Sequence, residues 1–78
     1  MTSVKLPHIS GEQALRALLR AGFEVVRTKG SHHFLSHPDD RTRWATVPTH
    51  GKRSLPPRVL HSILKGARLT VEEFKELL

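Results

Sequence analysis

Between residues 23 and 48 the chain passes through three β-forming runs cut apart by two turn signals, and nothing else in it restricts the fold as much. Residues 23–29 carry Phe23, Val25, Val26 and Thr28, side chains that suit a pleated backbone, and predict a first strand. Gly30-Ser31 reads as a turn, and residues 32–37 as a second strand. Pro38-Asp39-Asp40-Arg41 has strong turn chemistry. Residues 42–48 read as a third strand closed by Pro48. Three consecutive strands with short connections predict an antiparallel meander.

Helical patterns flank the meander. Residues 1–9 read as an extended lead-in, since Pro7 disfavours helix at Leu6. Ser10 followed three residues later by Gln13 is a capping-box pattern and opens a helix over residues 11–21. Leu15, Leu18 and Leu19 give it an apolar face, Glu12, Arg16 and Arg20 a wet one, and Gly22 a left-handed stop. After a polar basic loop, Leu55-Pro56-Pro57 leads into a second helix. Its stripe is Val59, Leu60, Ile63, Leu64 and Ala67, and Gly66 is expected to weaken or end it. Thr70 with Glu73 repeats the capping box and opens a short terminal helix that turns Val71, Phe74 and Leu77 inward. The order α-β-β-β-α with a short added helix predicts one α+β domain over residues 1–78, with helices covering one face of a three-stranded antiparallel sheet. Trp44, alone of its kind and within a strand, is assigned to the core.

With 78 residues the chain suits a surface site working on a large polymer better than a deep enclosed pocket. Lys and Arg number 13 against 7 Asp and Glu, a formal charge of +6, which points to a polyanionic partner. Absence of cysteine excludes disulfides and thiolate zinc sites. The start of the chain does not resemble a signal peptide, and there is no long apolar run, so a cytoplasmic protein without membrane association is expected.

Chemistry concentrates in Lys29-Gly30-Ser31-His32-His33-Phe34. Histidine gives or takes a proton near neutrality, and glycine lets a ligand approach the main chain. Read from the residues alone, His32 is either an ordinary strand histidine or an acid–base group. Strand alternation sends His33 to the opposite face, where it suits a structural role or a partner contact. His37 and His50 are open on the same terms. Zinc accepts imidazole, but no carboxylate is spaced suitably among these histidines, so no metal or other cofactor is expected. Arg27, Lys29, Arg41, Arg43, Lys52, Arg53 and Arg58 are candidates for gripping phosphates, Lys29 being the best placed.

Four stretches together resemble the HicA toxin family of toxin–antitoxin systems. They are Ser10-Gly11 leading to Gly22-Phe23, the Lys29-Gly30-Ser31-His32-His33-Phe34 turn, Val47-Pro48-Thr49-His50-Gly51, and Ser62-Ile63-Leu64-Lys65 with Leu69-Thr70-Val71-Glu72-Glu73-Phe74. Pro56-Pro57-Arg58 departs from the pattern, standing where that family often has a glycine. The resemblance implies a double-stranded-RNA-binding-domain-like fold and a metal-independent endoribonuclease that cleaves mRNA. It makes His32 the catalytic residue; beside it, Arg27, Lys29, Gly30, Ser31 and His50 are expected to bind RNA or shape the site. It also implies a HicB-type antitoxin as partner, with the free toxin a monomer and the neutralised form a hetero-oligomer. A non-catalytic double-stranded-RNA-binding module is the alternative. The lysine-rich start of the last helix usual in such modules is reduced here to Arg58.

Overall fold

The computed structural model describes residues 5–78, so the first four residues of the expected lead-in lie outside the described residues. Elements follow in the order α1 (Gly11–Arg20), β1 (Glu24–Lys29), β2 (His32–His37), β3 (Asp40–Pro48), α2 (Pro57–Ala67) and α3 (Val71–Glu76). The three strands form one antiparallel sheet in the order β1-β2-β3. The helices cover one face and leave the other open, giving an α+β fold of the double-stranded-RNA-binding-domain type.

Both predicted capping boxes form. The Ser10 side chain accepts from the Gln13 amide at 3.2 Å while the Gln13 side chain accepts from the Ser10 amide at 2.9 Å. Thr70 and Glu73 repeat this at 3.1 and 2.9 Å. Each box satisfies two amides that the first turn leaves without helical partners. Gly22 has φ +97° just beyond α1, as its stop requires.

The core lies between the sheet and the helices. Leu35, Ala45 and Val47 line the sheet side, Ala14, Ala17 and Leu18 come from α1, and Leu60, Ile63, Leu64 and Ala67 from α2. Phe74 of α3 is fully buried and closes the far end. Arg20 Nη1 donates to the Leu77 carbonyl, so α3 is tied back to α1. The lead-in is held by the Leu55 amide, which donates to the Ile9 carbonyl at 2.8 Å, and by a bridge between Ser10 and Ser54.

The structure corrects four expectations. The buried stripe of α1 is centred on Ala14, Ala17 and Leu18, which are three and four residues apart on one face, while the next residue, Leu19, turns away from it and is exposed. A Cβ on Gly11 would overlap the Pro48 carbonyl. Gly66 does not end α2, which continues to Ala67 and stops at Arg68 in the left-handed conformation, φ 58°. Gly66 is instead a point of close approach: a Cβ there would stand 2.6 Å from the Trp44 carbonyl oxygen. Strand β3 begins at Asp40 and not Thr42, because Asp40 pairs with His37 across a two-residue turn. Trp44 is not core. It lies on the open-face row of β3, 54 % exposed, with only one side of the indole near Gly66.

Candidate active site

The β1–β2 hairpin places the signature residues. Gly30 has φ +59° and Ser31 an ordinary negative φ, the pattern of a type II′ turn, which requires glycine at its first central position. A two-residue turn sets the register: Lys29 opposes His32, and Thr28 opposes His33. On the other side His32 opposes Pro48 and His33 opposes Val47. The Thr49 amide donates to the Ser31 carbonyl at 2.8 Å, which zips the segment after β3 onto the hairpin turn.

Alternation separates the two adjacent histidines. His33 shares parity with buried Leu35 and faces α1, beside Glu12, Leu15, Arg16 and Thr49. Its hydrogen bonds form a directed chain. The Thr49 hydroxyl donates its proton to the Ser31 carbonyl at 3.1 Å, since a carbonyl only accepts. His33 Nε2, 3.0 Å from the same hydroxyl oxygen, must therefore donate to it. In the tautomer with its proton on Nε2, Nδ1 accepts from the Thr28 hydroxyl at 3.4 Å. Both nitrogens of His33 are thus engaged in holding the hairpin against the residues after β3. The sequence reading missed Thr28 and Thr49. Thr28 follows from the two-residue turn alone, whereas Thr49 needs the β2–β3 register.

His32 is exposed on the open face, in a row with Lys29 and Pro48. Among the described residues its side chain takes part in no hydrogen bond or ion pair. His50, two residues beyond Pro48, is the diagonal neighbour of His32, a separation that aromatic rings span. Their rings stand edge to face with centroids 5.9 Å apart. Ser31 Oγ lies 3.4 Å from His50 Nδ1, and a turn in which the Arg53 amide donates to the His50 carbonyl, with Gly51 at φ +62°, fixes the loop behind it. Lys29, Gly30, Ser31, His32 and His50 are therefore brought together. Arg27 sits on the same face one step along, its guanidinium 5.9 Å from the Phe34 ring centre.

Other candidates are drawn into structural work. Arg43 was a candidate phosphate ligand, but its Nε donates to the Ala67 carbonyl at 2.8 Å and its guanidinium covers Phe23 on the helix side. It satisfies the C-terminal end of α2. Arg41 Nη2 lies 3.3 Å from a Glu24 carboxylate oxygen, and its Nη1 donates to Ser36 Oγ. His37 packs edge-on to Phe23, centroids 5.1 Å apart, and Nδ1 accepts from the Asp39 amide at 3.2 Å. Lys52, Arg53 and Arg58 are exposed. Among the described residues, no three His, Asp or Glu side chains gather as a metal site, and no helix is long and apolar enough to cross a membrane.

The site thus presents two solvent-facing imidazoles, a lysine opposite one of them, and a glycine turn that leaves the backbone open. Such a set moves protons and attracts an anion at a surface large enough for a polymer. No curated protein matches the chain. A protein-family model described as HicA toxin of bacterial toxin–antitoxin matches residues 11–69 of the 78, spanning every site residue above, and the chain belongs to the HicA toxin family.

Proposed function

We propose that this toxin is a metal-independent endoribonuclease that cleaves mRNA, with His32 as a catalytic residue, and that a HicB-type antitoxin silences it by covering His32. The observation that carries this reading is the placement of His32: exposed, free of hydrogen bonds among the described residues, and opposite Lys29 on the open face. RNA carries its own nucleophile, the 2′-hydroxyl next to each phosphate. Cleavage then needs proton transfer to and from oxygen and positive charge near phosphorus, and imidazole and ammonium supply both. Arg27 and Lys29 extend the positive surface along the face, where phosphate contacts position the strand. A net charge of +6 suits an antitoxin with an acidic contact surface.

The test compares wild type with His32→Ala on a long RNA in the presence of EDTA. Cleavage by the wild type alone is the expected result. His32 buries little, so the variant should unfold at the same temperature. RNA binding by both proteins with cleavage by neither would favour the binding-module alternative.

A further inference from the structure

The chain carries four histidines between residues 32 and 50, and the structure turns two of them to structural partners and leaves two exposed at the site. His33 has both ring nitrogens bonded to threonine hydroxyls, and His37 is packed on Phe23 with Nδ1 bonded to the Asp39 amide. His32 and His50 remain, on one face, rings edge to face at 5.9 Å. Each is held from behind: His32 by the hairpin ladder, His50 by the 50–53 turn and the contact from Ser31 Oγ.

We propose that His32 and His50 form an acid–base pair, His50 being a second catalytic residue; this rests on the endoribonuclease reading above. In-line displacement at phosphorus puts the entering and leaving oxygens on opposite sides, so base and acid have to approach from two directions. Two separate imidazoles on one open surface meet that demand, and a single one does not. One ring, neutral, takes the proton of the 2′-hydroxyl as its oxygen bonds to phosphorus. The P–O5′ bond breaks, and the other ring, protonated, delivers its proton to O5′. The products are a 2′,3′-cyclic phosphate and a 5′-hydroxyl. The pair ends with its proton exchanged, and solvent resets it. Lys29, opposite His32, stands where the phosphorane oxygens gain charge.

The charged groups around the pair are Arg27 and Lys29 on β1, and Lys52 and Arg53 in the turn after His50. Glu12 and Arg16 of α1 stand on the far side with His33. Among the described residues, no carboxylate bonds to either ring.

The test uses the purified chain and a short RNA made in two forms, one with the natural 5′-oxygen at the cleaved bond and one with sulfur in its place. A sulfur leaving group departs without a proton, so it needs no acid. Wild type should cleave the oxygen substrate with a bell-shaped pH profile. His32→Ala and His50→Ala should each lower kcat by about 10²–10⁴-fold on that substrate. Each should lose one limb of the bell, and sulfur should restore one variant but not the other. His50→Gln, which keeps size and polarity, should be as slow as His50→Ala, which separates proton transfer from loop shape. The pair is overturned, with the ribonuclease reading intact, if His50→Ala cleaves at the wild-type rate. It is overturned equally if both limbs of the bell survive in the variant and sulfur rescues neither. Failure of the wild type to cleave either substrate overturns both readings.

Discussion

His33 Nε2 and Thr49 Oγ1 lie 3.0 Å apart, and this contact joins the β1–β2 hairpin to the segment that carries His50. His33 sits on β2 and Thr49 just past β3, so the bond fixes the one strand relative to the other at the end where the site is built. Thr49→Val leaves the ring nitrogen without its acceptor, while the Ser31 carbonyl keeps the residue-49 amide as its donor. His33→Ala and Thr49→Val should each lower the unfolding free energy by about 1–2 kcal/mol in urea titrations. Because both remove the same bond, the double variant should cost less than the sum. Strict additivity would show that the bond contributes nothing.

Gly66→Ala sets two effects against each other. In an open helix it would stabilise by about 1 kcal/mol through helix propensity. Here the new methyl stands 2.6 Å from the Trp44 carbonyl, a backbone atom that cannot swing away. The cost of forcing α2 off β3 is about 1–3 kcal/mol, so the variant should unfold more easily than wild type. Ser62→Ala, on the exposed side of the same helix, should stay within about 0.5 kcal/mol of wild type. A more stable Gly66→Ala protein would mean that the helix stands further from the strand.

Acid should weaken the fold through two carboxylates. Hydrogen bonds from the Thr42 hydroxyl and amide hold the Asp40 carboxyl below its ordinary range, with Arg68 and Arg43 adding to the effect. The amide and hydroxyl of Thr70 do the same for Glu73 in its capping box. A folded pKa below the unfolded one means stability that is complete above the unfolded value and lost as pH falls through the folded one. The melting temperature should therefore drop below about pH 4. Asp40→Asn and Glu73→Gln should each flatten that drop and change little at pH 7 beyond a constant offset. An unchanged acid limb in both variants would contradict the assignment.

The proposed RNA track makes a salt prediction. Each phosphate neutralised on a single strand contributes about −0.7 to the slope of log affinity against log salt. Arg27→Ala and Lys29→Ala should each reduce the slope by about that amount, measured by fluorescence anisotropy on a labelled RNA. Arg41→Ala, whose guanidinium is already engaged by Glu24 and Ser36, should change it less. Equal effects from all three would mean that the open face is not the track.

Much of the fold is legible because its signals are local. A capping box, an alternating run and a Gly-Ser turn each involve residues a few positions apart, and their physics is complete within one element. The Lys29–His32 opposition follows in the same way, since a two-residue turn leaves one register open. The β2–β3 register does not follow. Between the pairs Ser36–Trp44 and His37–Asp40 the third strand carries three extra residues, Arg41, Thr42 and Arg43, so its pairing cannot be counted from the turn. A slip of one residue would reverse the faces of β3 and carry Trp44 to the core and His50 away from His32. Trp44, assigned to the core as a lone strand tryptophan, is exposed because residue type does not settle which face of β3 a position takes. The sequence by itself determined the helices, the hairpin and the position of His32 at the mouth of β2. Only the tertiary structure decided which histidines hold the fold and which are exposed together, because that depends on β3 aligning Thr49 with His33 and His50 with His32. Long-range packing selects that alignment: Gly11 against Pro48 and Gly66 against Trp44 leave β3 one way to lie beneath its helices.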